Sequence, residues 1–184
     1  MFYRIAILDD DADALRRTEE MLSAYGAAHP EHELETACFT HTEPFMESVC
    51  RTGHAGEWTF DMAVMDIYLP DGNGLECART LRENGYEGII IFQSSSAEYA
   101  VEAFQVDAIQ YLLKPVSQEQ FFAAVDRAVG KLNRHRKTRR KMETGEQPVS
   151  SAEKMTSEKR RTYRYTVGFF IDTLLTKWNS RKNG

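Results

Sequence analysis

The sequence predicts a doubly wound α/β fold, a five-stranded parallel sheet covered by helices on both faces, followed by a basic tail. Three observations carry that expectation. Short apolar runs alternate with amphipathic stretches five times within the first 130 residues. The runs read as near-continuous aliphatic segments, the pattern of strands buried on both faces. Charge then changes sign: residues 1–130 hold 23 Asp+Glu and 8 Lys+Arg, a net of −15, whereas residues 131–184 hold 5 and 15, a net of +10. Such a split suggests two segments with different work, divided here as 1–130 and 131–184.

Each element has its own signal. Tyr3 to Leu8 is a first strand that stops at three aspartates. Ala14, Leu15, Thr18, Met21, Leu22 and Tyr25 recur at three- and four-residue spacing, which marks a helix face. Leu34 to Phe39 is the second strand. A short helix around Phe45, Met46 and Val49 follows, with Thr42 as its cap and Pro44 in the first turn. Phe60 to Met65 is the third strand. Pro70-Asp-Gly-Asn-Gly74 forms a turn into a helix with Leu75, Ala78 and Leu81 on one face. Gly88 to Phe92 is the fourth strand, with a helix expected over Ala97 to Phe104. Ala108 to Leu113 is the fifth strand. Ser117, with Gln120 three residues on, opens a helix lined by Phe121, Phe122, Val125, Ala128, Val129 and Leu132. Right-handed crossovers join such strands, and the functional crevice lies beyond their carboxyl ends.

Composition narrows the class further. Hydrophobic residues make up 42% of 184 and aromatics 11%, enough for a real core. No apolar run approaches the ~20 residues needed to cross a bilayer, and the N-terminus lacks a signal-peptide cleavage pattern. A cytoplasmic location, without membrane contact, is expected. Cys38, Cys50 and Cys77 are widely spaced with no Cys-x-x-Cys pair, so they read as reduced thiols. His29 and His32 read as solvated loop side chains rather than metal ligands.

The strand ends carry the chemistry. Strand one closes at Asp9-Asp10-Asp11, strand three at Asp66, strand four at Ser94 and strand five at Lys114 followed by Pro115. A parallel sheet gathers these ends into one pocket. Crowded carboxylates repel, so the set makes sense around a hard divalent cation such as Mg²⁺. A carboxylate can also attack a phosphoryl group, and phosphoryl transfer needs little beyond positioning and charge neutralisation.

The segments Ile5-Ala-Ile-Leu-Asp-Asp-Asp11, Val64-Met-Asp-Ile-Tyr-Leu-Pro-Asp-Gly-Asn-Gly74, Ser94 and Tyr111-Leu-Leu-Lys-Pro115 resemble the receiver domain of two-component response regulators. The stretches Ile91 to Phe104 and Ala108 to Pro115 are most similar to receivers of the LytTR-type (LytR/AlgR) family. The resemblance implies a flavodoxin-like strand order of 2-1-3-4-5 and a phosphoryl group accepted on Asp66 from a sensor histidine kinase. It implies Mg²⁺ held by Asp9, Asp10, Asp66 and the backbone carbonyl of Tyr68, with Asp10 and Asp66 as direct ligands. Ser94 and Lys114 would contact the phosphoryl oxygens, and Ser94 with Tyr111 would form the switch. The protein would then be a phosphoryl acceptor with at most slow autodephosphorylation, not a turnover enzyme. A haloacid-dehalogenase-type phosphohydrolase is disfavoured, because that pattern wants Asp two residues after the nucleophile and Tyr68 stands there. Two departures stand out: Gln93 occupies a position the family keeps apolar, and Asp107 replaces the usual glycine before strand five.

The resemblance weakens after residue 130. A LytTR DNA-binding domain needs about 100 residues, and only 54 follow Gly130. Residues 131–142 carry seven Lys+Arg and no acid, 143–158 read as a linker, and Tyr163, Val167, Phe170, Leu174 and Trp178 mark one face of a last helix. Control of transcription is expected, with DNA as a partner only if a full output domain exists and with homodimerisation on phosphorylation. The alternative is a single-domain receiver acting through protein contacts. The basic tail itself offers weak, salt-sensitive contact with nucleic acid or, more simply, a solvated linker.

Overall fold

The computed structural model describes residues 1–49 and 59–143, with backbone alone for 139 and 141–143. Five strands form one parallel sheet: β1 (Phe2–Leu8), β2 (Glu33–Phe39), β3 (Met62–Met65), β6 (Ile89–Ser94) and β7 (Gln110–Leu113). Their order is β2-β1-β3-β6-β7, the expected 2-1-3-4-5 once a small hairpin is set aside. That hairpin pairs β4 (Tyr68–Leu69) with β5 (Gly72–Asn73) in antiparallel fashion, and the turn signal alone did not reveal it. The helices are α1 (Ala12–Ala28), α2 (Thr42–Val49), α3 (Gly74–Glu83) and α4 (Gln118–Glu143).

Alternation along each strand divides the core in two. Ala6 and Leu8 join Phe45, Met65, Phe92 and Tyr111 on one face. Ile5 and Ile7 join Leu22, Val64, Ile91, Phe121 and Val125 on the other. The helix starts follow local chemistry. Asp11 accepts from the Asp13 amide at 2.9 Å and caps α1. Asn73 accepts from the Leu75 amide at 2.8 Å and caps α3. Ser117 and Gln120 exchange reciprocal bonds of 3.2 Å, the expected capping box of α4.

Three elements differ from expectation. Thr42 does not cap α2 with its own oxygen; its amide and hydroxyl both donate to the Asp71 carboxylate, at 2.8 and 2.9 Å. The acceptor for that helix start thus comes from the turn after Asp66, a pairing across 29 residues. Residues 97–104 are turns ending in a single 3₁₀ segment, Glu102–Phe104, instead of a helix. Ala97, Ala100, Ala103 and Val106 are all buried, and burial every third residue suits the 3.0-residue period of a 3₁₀ turn better than 3.6. Finally, α4 does not stop with its apolar stripe at Leu132 but continues as helix to Glu143, because the following residues, though charged, are good helix formers.

Asp107 adopts φ 51°, so the left-handed turn survives without glycine. Its neighbourhood is held by Arg82, whose guanidinium donates to the carbonyls of Val106 (2.8 Å), Gly88 (2.8 Å), Asp107 (3.4 Å) and Tyr86. One cation thereby ties the loop before β6 to the loop before β7. By contact density the chain divides into Met1–Leu132 and Asn133–Gly184. Among the described residues no helix is long and apolar enough to cross a membrane. Cys50 and the helix expected over 163–178 lie outside the described residues.

Candidate functional site

Hydrogen bonding between strands fixes where the acids stand. The Asp66 amide donates to the Leu8 carbonyl at 2.7 Å and the Asp9 amide to Phe39 at 3.0 Å. The ends of β1 and β3 therefore meet, and ligand oxygens of Asp9, Asp10 and Asp66 lie within 4.8 Å of one another. Asp9 and Asp66 are buried and Asp10 is exposed.

Lys114 reaches in from the end of β7. Its ammonium donates to Asp9 Oδ2 and to Asp66 Oδ2, each at 2.6 Å, and its amide donates to the Ser94 carbonyl at 2.8 Å. The peptide bond from Lys114 to Pro115 is cis. The other oxygen of Asp66, Oδ1, accepts from the amides of Ile67 (2.5 Å) and Tyr68 (3.3 Å). Burial pushes the Asp9 carboxyl up despite the opposing bond from Lys114. For Lys114, burial works against the charge, but the two carboxylates prevail and hold its pKa above the usual lysine range.

Gly74 sets the approach of the following turn. A Cβ there would lie 1.9 Å from the Asp66 carbonyl oxygen and 3.2 Å from Ile67 Cα. Only glycine lets α3 start this close beneath the acid. The sequence signalled a turn at Asp-Gly-Asn-Gly but not this contact, nor the clasp of Asp71 on Thr42.

The remaining site residues line the far wall. Ser94 is fully buried, and its Oγ accepts from the Ser96 amide at 3.4 Å. Tyr111, expected to form the switch with Ser94, has its ring buried against Phe92, and its hydroxyl donates to the Ser96 carbonyl at 2.6 Å. Burial raises that phenol to about 12, with the nearby Ser94 hydroxyl acting the other way. Tyr68, whose carbonyl was expected near the cation, turns an exposed ring toward Tyr99 and donates from its hydroxyl to Glu98 at 3.2 Å. Gln93, one residue before Ser94, is buried and accepts from the Thr18 hydroxyl at 3.2 Å. That bond accounts for half of an amide in an apolar layer.

The donor set suits a small divalent cation. Three carboxylates face one ammonium, which leaves a formal charge of −2 in a partly buried pocket made of oxygen ligands. His29 and His32 instead stack near Tyr25, and among the described residues they form no metal cluster.

A parallel sheet in this order, with acids and a lysine gathered at its carboxyl edge, defines a class of signalling domain. Residues 5–126 match the response regulator receiver domain, and the chain belongs to that family, whose members are phosphorylated by sensor histidine kinases. Its relatives are of the LytT/LytR/AlgR type. It is 40% identical over 74 residues to the sensory transduction protein LytT of Oceanobacillus iheyensis, covering 39% of this chain and 30% of that protein. It is 40% identical over 68 residues to the positive alginate biosynthesis regulatory protein of Pseudomonas aeruginosa, covering 37% and 27%. The matches thus span less than a third of these relatives' lengths. Among solved structures, the BeF3-activated receiver domain of DrrB, from Thermotoga maritima, superposes with a TM-score of 0.54 at 27% identity, covering 71% of this chain and 99% of that one.

Proposed function

We propose that the chain is a response regulator in which Asp66 accepts a phosphoryl group from the phosphohistidine of a sensor histidine kinase, and that the resulting conformational change controls transcription. The observation that carries the reading is how Asp66 is held. Two backbone amides fix Oδ1, Lys114 fixes Oδ2, and the side chain keeps 8% exposure. An oxygen of Asp66 attacks phosphorus, the new O–P bond forms, the P–N bond to the kinase histidine breaks, and the imidazole leaves. Lys114, already bridging Asp9 and Asp66, exchanges a carboxylate oxygen for a phosphoryl oxygen. Ser94 donates its hydroxyl to another. Asp9, Asp10, Asp66 and the Tyr68 carbonyl would hold Mg²⁺, which neutralises charge on the transferred oxygens.

The switch follows from Ser94 and Tyr111. Drawing Ser94 toward the phosphoryl group shifts the 94–96 segment, and the Tyr111 bond to the Ser96 carbonyl is broken or re-made with it. A tenfold change in the balance of states needs only about 1.4 kcal/mol of differential interaction. A regulatory output is supported by the likeness to the positive alginate biosynthesis regulatory protein of Pseudomonas aeruginosa. Homodimerisation on phosphorylation and a cytoplasmic location belong to the same reading. No turnover is expected beyond slow loss of the phosphoryl group.

The test is incubation with a small phosphodonor and Mg²⁺, read by intact-mass spectrometry. One acid-stable, base-labile phosphoryl group per chain is expected, absent in Asp66→Asn because an amide is a poor nucleophile. Full labelling of the Asn variant would move the acceptor elsewhere.

A further inference from the structure

The basic run after Leu132 has a scaffold. Among the described side chains Leu132 is the last buried apolar residue of α4, yet the helix continues through Glu143. From Arg134 to Lys141, six of eight residues are Lys or Arg, His135 adds a seventh nitrogen base, and no acid intervenes. Arg134 and Lys137 are exposed and, three apart, share a helix face. Lys131, three residues before Arg134, donates to Asp107 at 2.9 Å.

Two physical features narrow what such a helix meets. Like charges three or four apart destabilise a helix, and the exposed Arg134 and Lys137 are such a pair. A polyanion alongside would relieve that repulsion. Residues 133–141 also contain no aliphatic side chain and no Phe, Tyr or Trp, so the segment has neither a lipid-facing stripe nor a coiled-coil seam.

We propose that residues 134–141 of α4 are a contact surface for the phosphate backbone of duplex DNA, engaged without sequence preference. Eight helical residues rise about 12 Å, and each DNA strand carries one charge per about 3.4 Å, so roughly three to four phosphates of one strand lie along this length. Contacts of this kind position a protein on DNA and carry no sequence information. The surface exists whether or not Asp66 is phosphorylated, and the proposal does not depend on that chemistry.

The experiment titrates the full 184-residue chain against a labelled random-sequence duplex by fluorescence anisotropy, between about 50 and 200 mM salt. The chain should bind, and Arg134→Glu/Lys137→Glu should lower affinity at least tenfold at low salt. The slope of log affinity against log salt should fall by about 2, since each lost phosphate contact removes about 0.9. A thermal melt of that variant coincident with the parent's would show that the receiver is folded. The proposal is overturned if the double variant binds like the parent, or if Arg160→Glu/Arg161→Glu abolishes binding while the 134/137 variant does not. It is equally overturned if the parent ignores DNA and the 134/137 variant instead loses self-association by light scattering.

Discussion

Replacing Lys114 by alanine tests whether one ammonium holds the acidic pocket together. Its two bonds of 2.6 Å each carry about 6 kcal/mol of attraction at an effective dielectric of 20, most of it offset by desolvation. Removal also leaves Asp9 and Asp66 facing each other with oxygens no more than 4.8 Å apart, a repulsion of at least about 3 kcal/mol on the same basis. Lost partners of buried ion pairs cost about 3–5 kcal/mol. For a domain of this size that is a drop in Tm of roughly 10–15 °C. Calorimetry with chelator, then with Mg²⁺, should show the deficit and its partial recovery. Saturation at about 100 times Kd adds about 2.7 kcal/mol, and the gain should be larger in the variant than in the parent. Lys114→Ala/Asp9→Asn should recover stability without metal, because the second change removes one of the repelling charges. A single variant within about 1 kcal/mol of the parent, with an unchanged response to Mg²⁺, would refute the reasoning.

Three other outcomes follow from the same structure. Gly74→Ala should cost about 3 kcal/mol or more by denaturant melt and slow phosphorylation, because its Cβ meets the main chain of Asp66. Asp107→Val should lose about 1–2 kcal/mol, since a β-branched residue is strained at φ 51°; Asp107→Gly should stay within about 1 kcal/mol, trading that strain against an exposed ion pair. Burial pushes the Cys77 thiol from 9.0 to about 11, so alkylation at pH 8 should be far slower in the native than in the unfolded chain. The raised value means the unfolded thiol ionises first. Its contribution is unchanged below pH 9 and stability is lost as pH rises from 9 toward 11.

The sheet and its acidic edge were legible because parallel strands are buried on both faces and announce themselves as aliphatic runs. Their ends are where Asp9, Asp66, Ser94 and Lys114 fall, and the 2-1-3-4-5 order brings those ends together. Other features were hidden for physical reasons. The clasp of Asp71 on Thr42 joins residues 29 apart, and no local pattern encodes a cap supplied from elsewhere. The segment 97–104 misled because alanines with a few larger apolar residues satisfy helical and 3₁₀ periods alike over two turns. The extension of α4 misled in the opposite direction. Its apolar stripe ended, yet Lys and Arg favour helix without needing a partner face. Gln93 looked anomalous until Thr18 stood beside it, a neighbour 75 residues away in sequence.

Arg82 has a consequence for how this domain tolerates change. Every hydrogen bond it makes to the loops before β6 and β7 ends on a main-chain oxygen. A guanidinium bonded to carbonyls fixes the path of the main chain, and by lying over the Tyr86 ring it engages one loop side chain as well. The path of both loops is thus tied to one residue on a neighbouring helix. Lysine could not inherit the task, because a point charge lacks the planar fork that reaches several carbonyls at once. In descendants of this sequence, position 82 should stand still even where an exposed loop position such as Glu87 drifts.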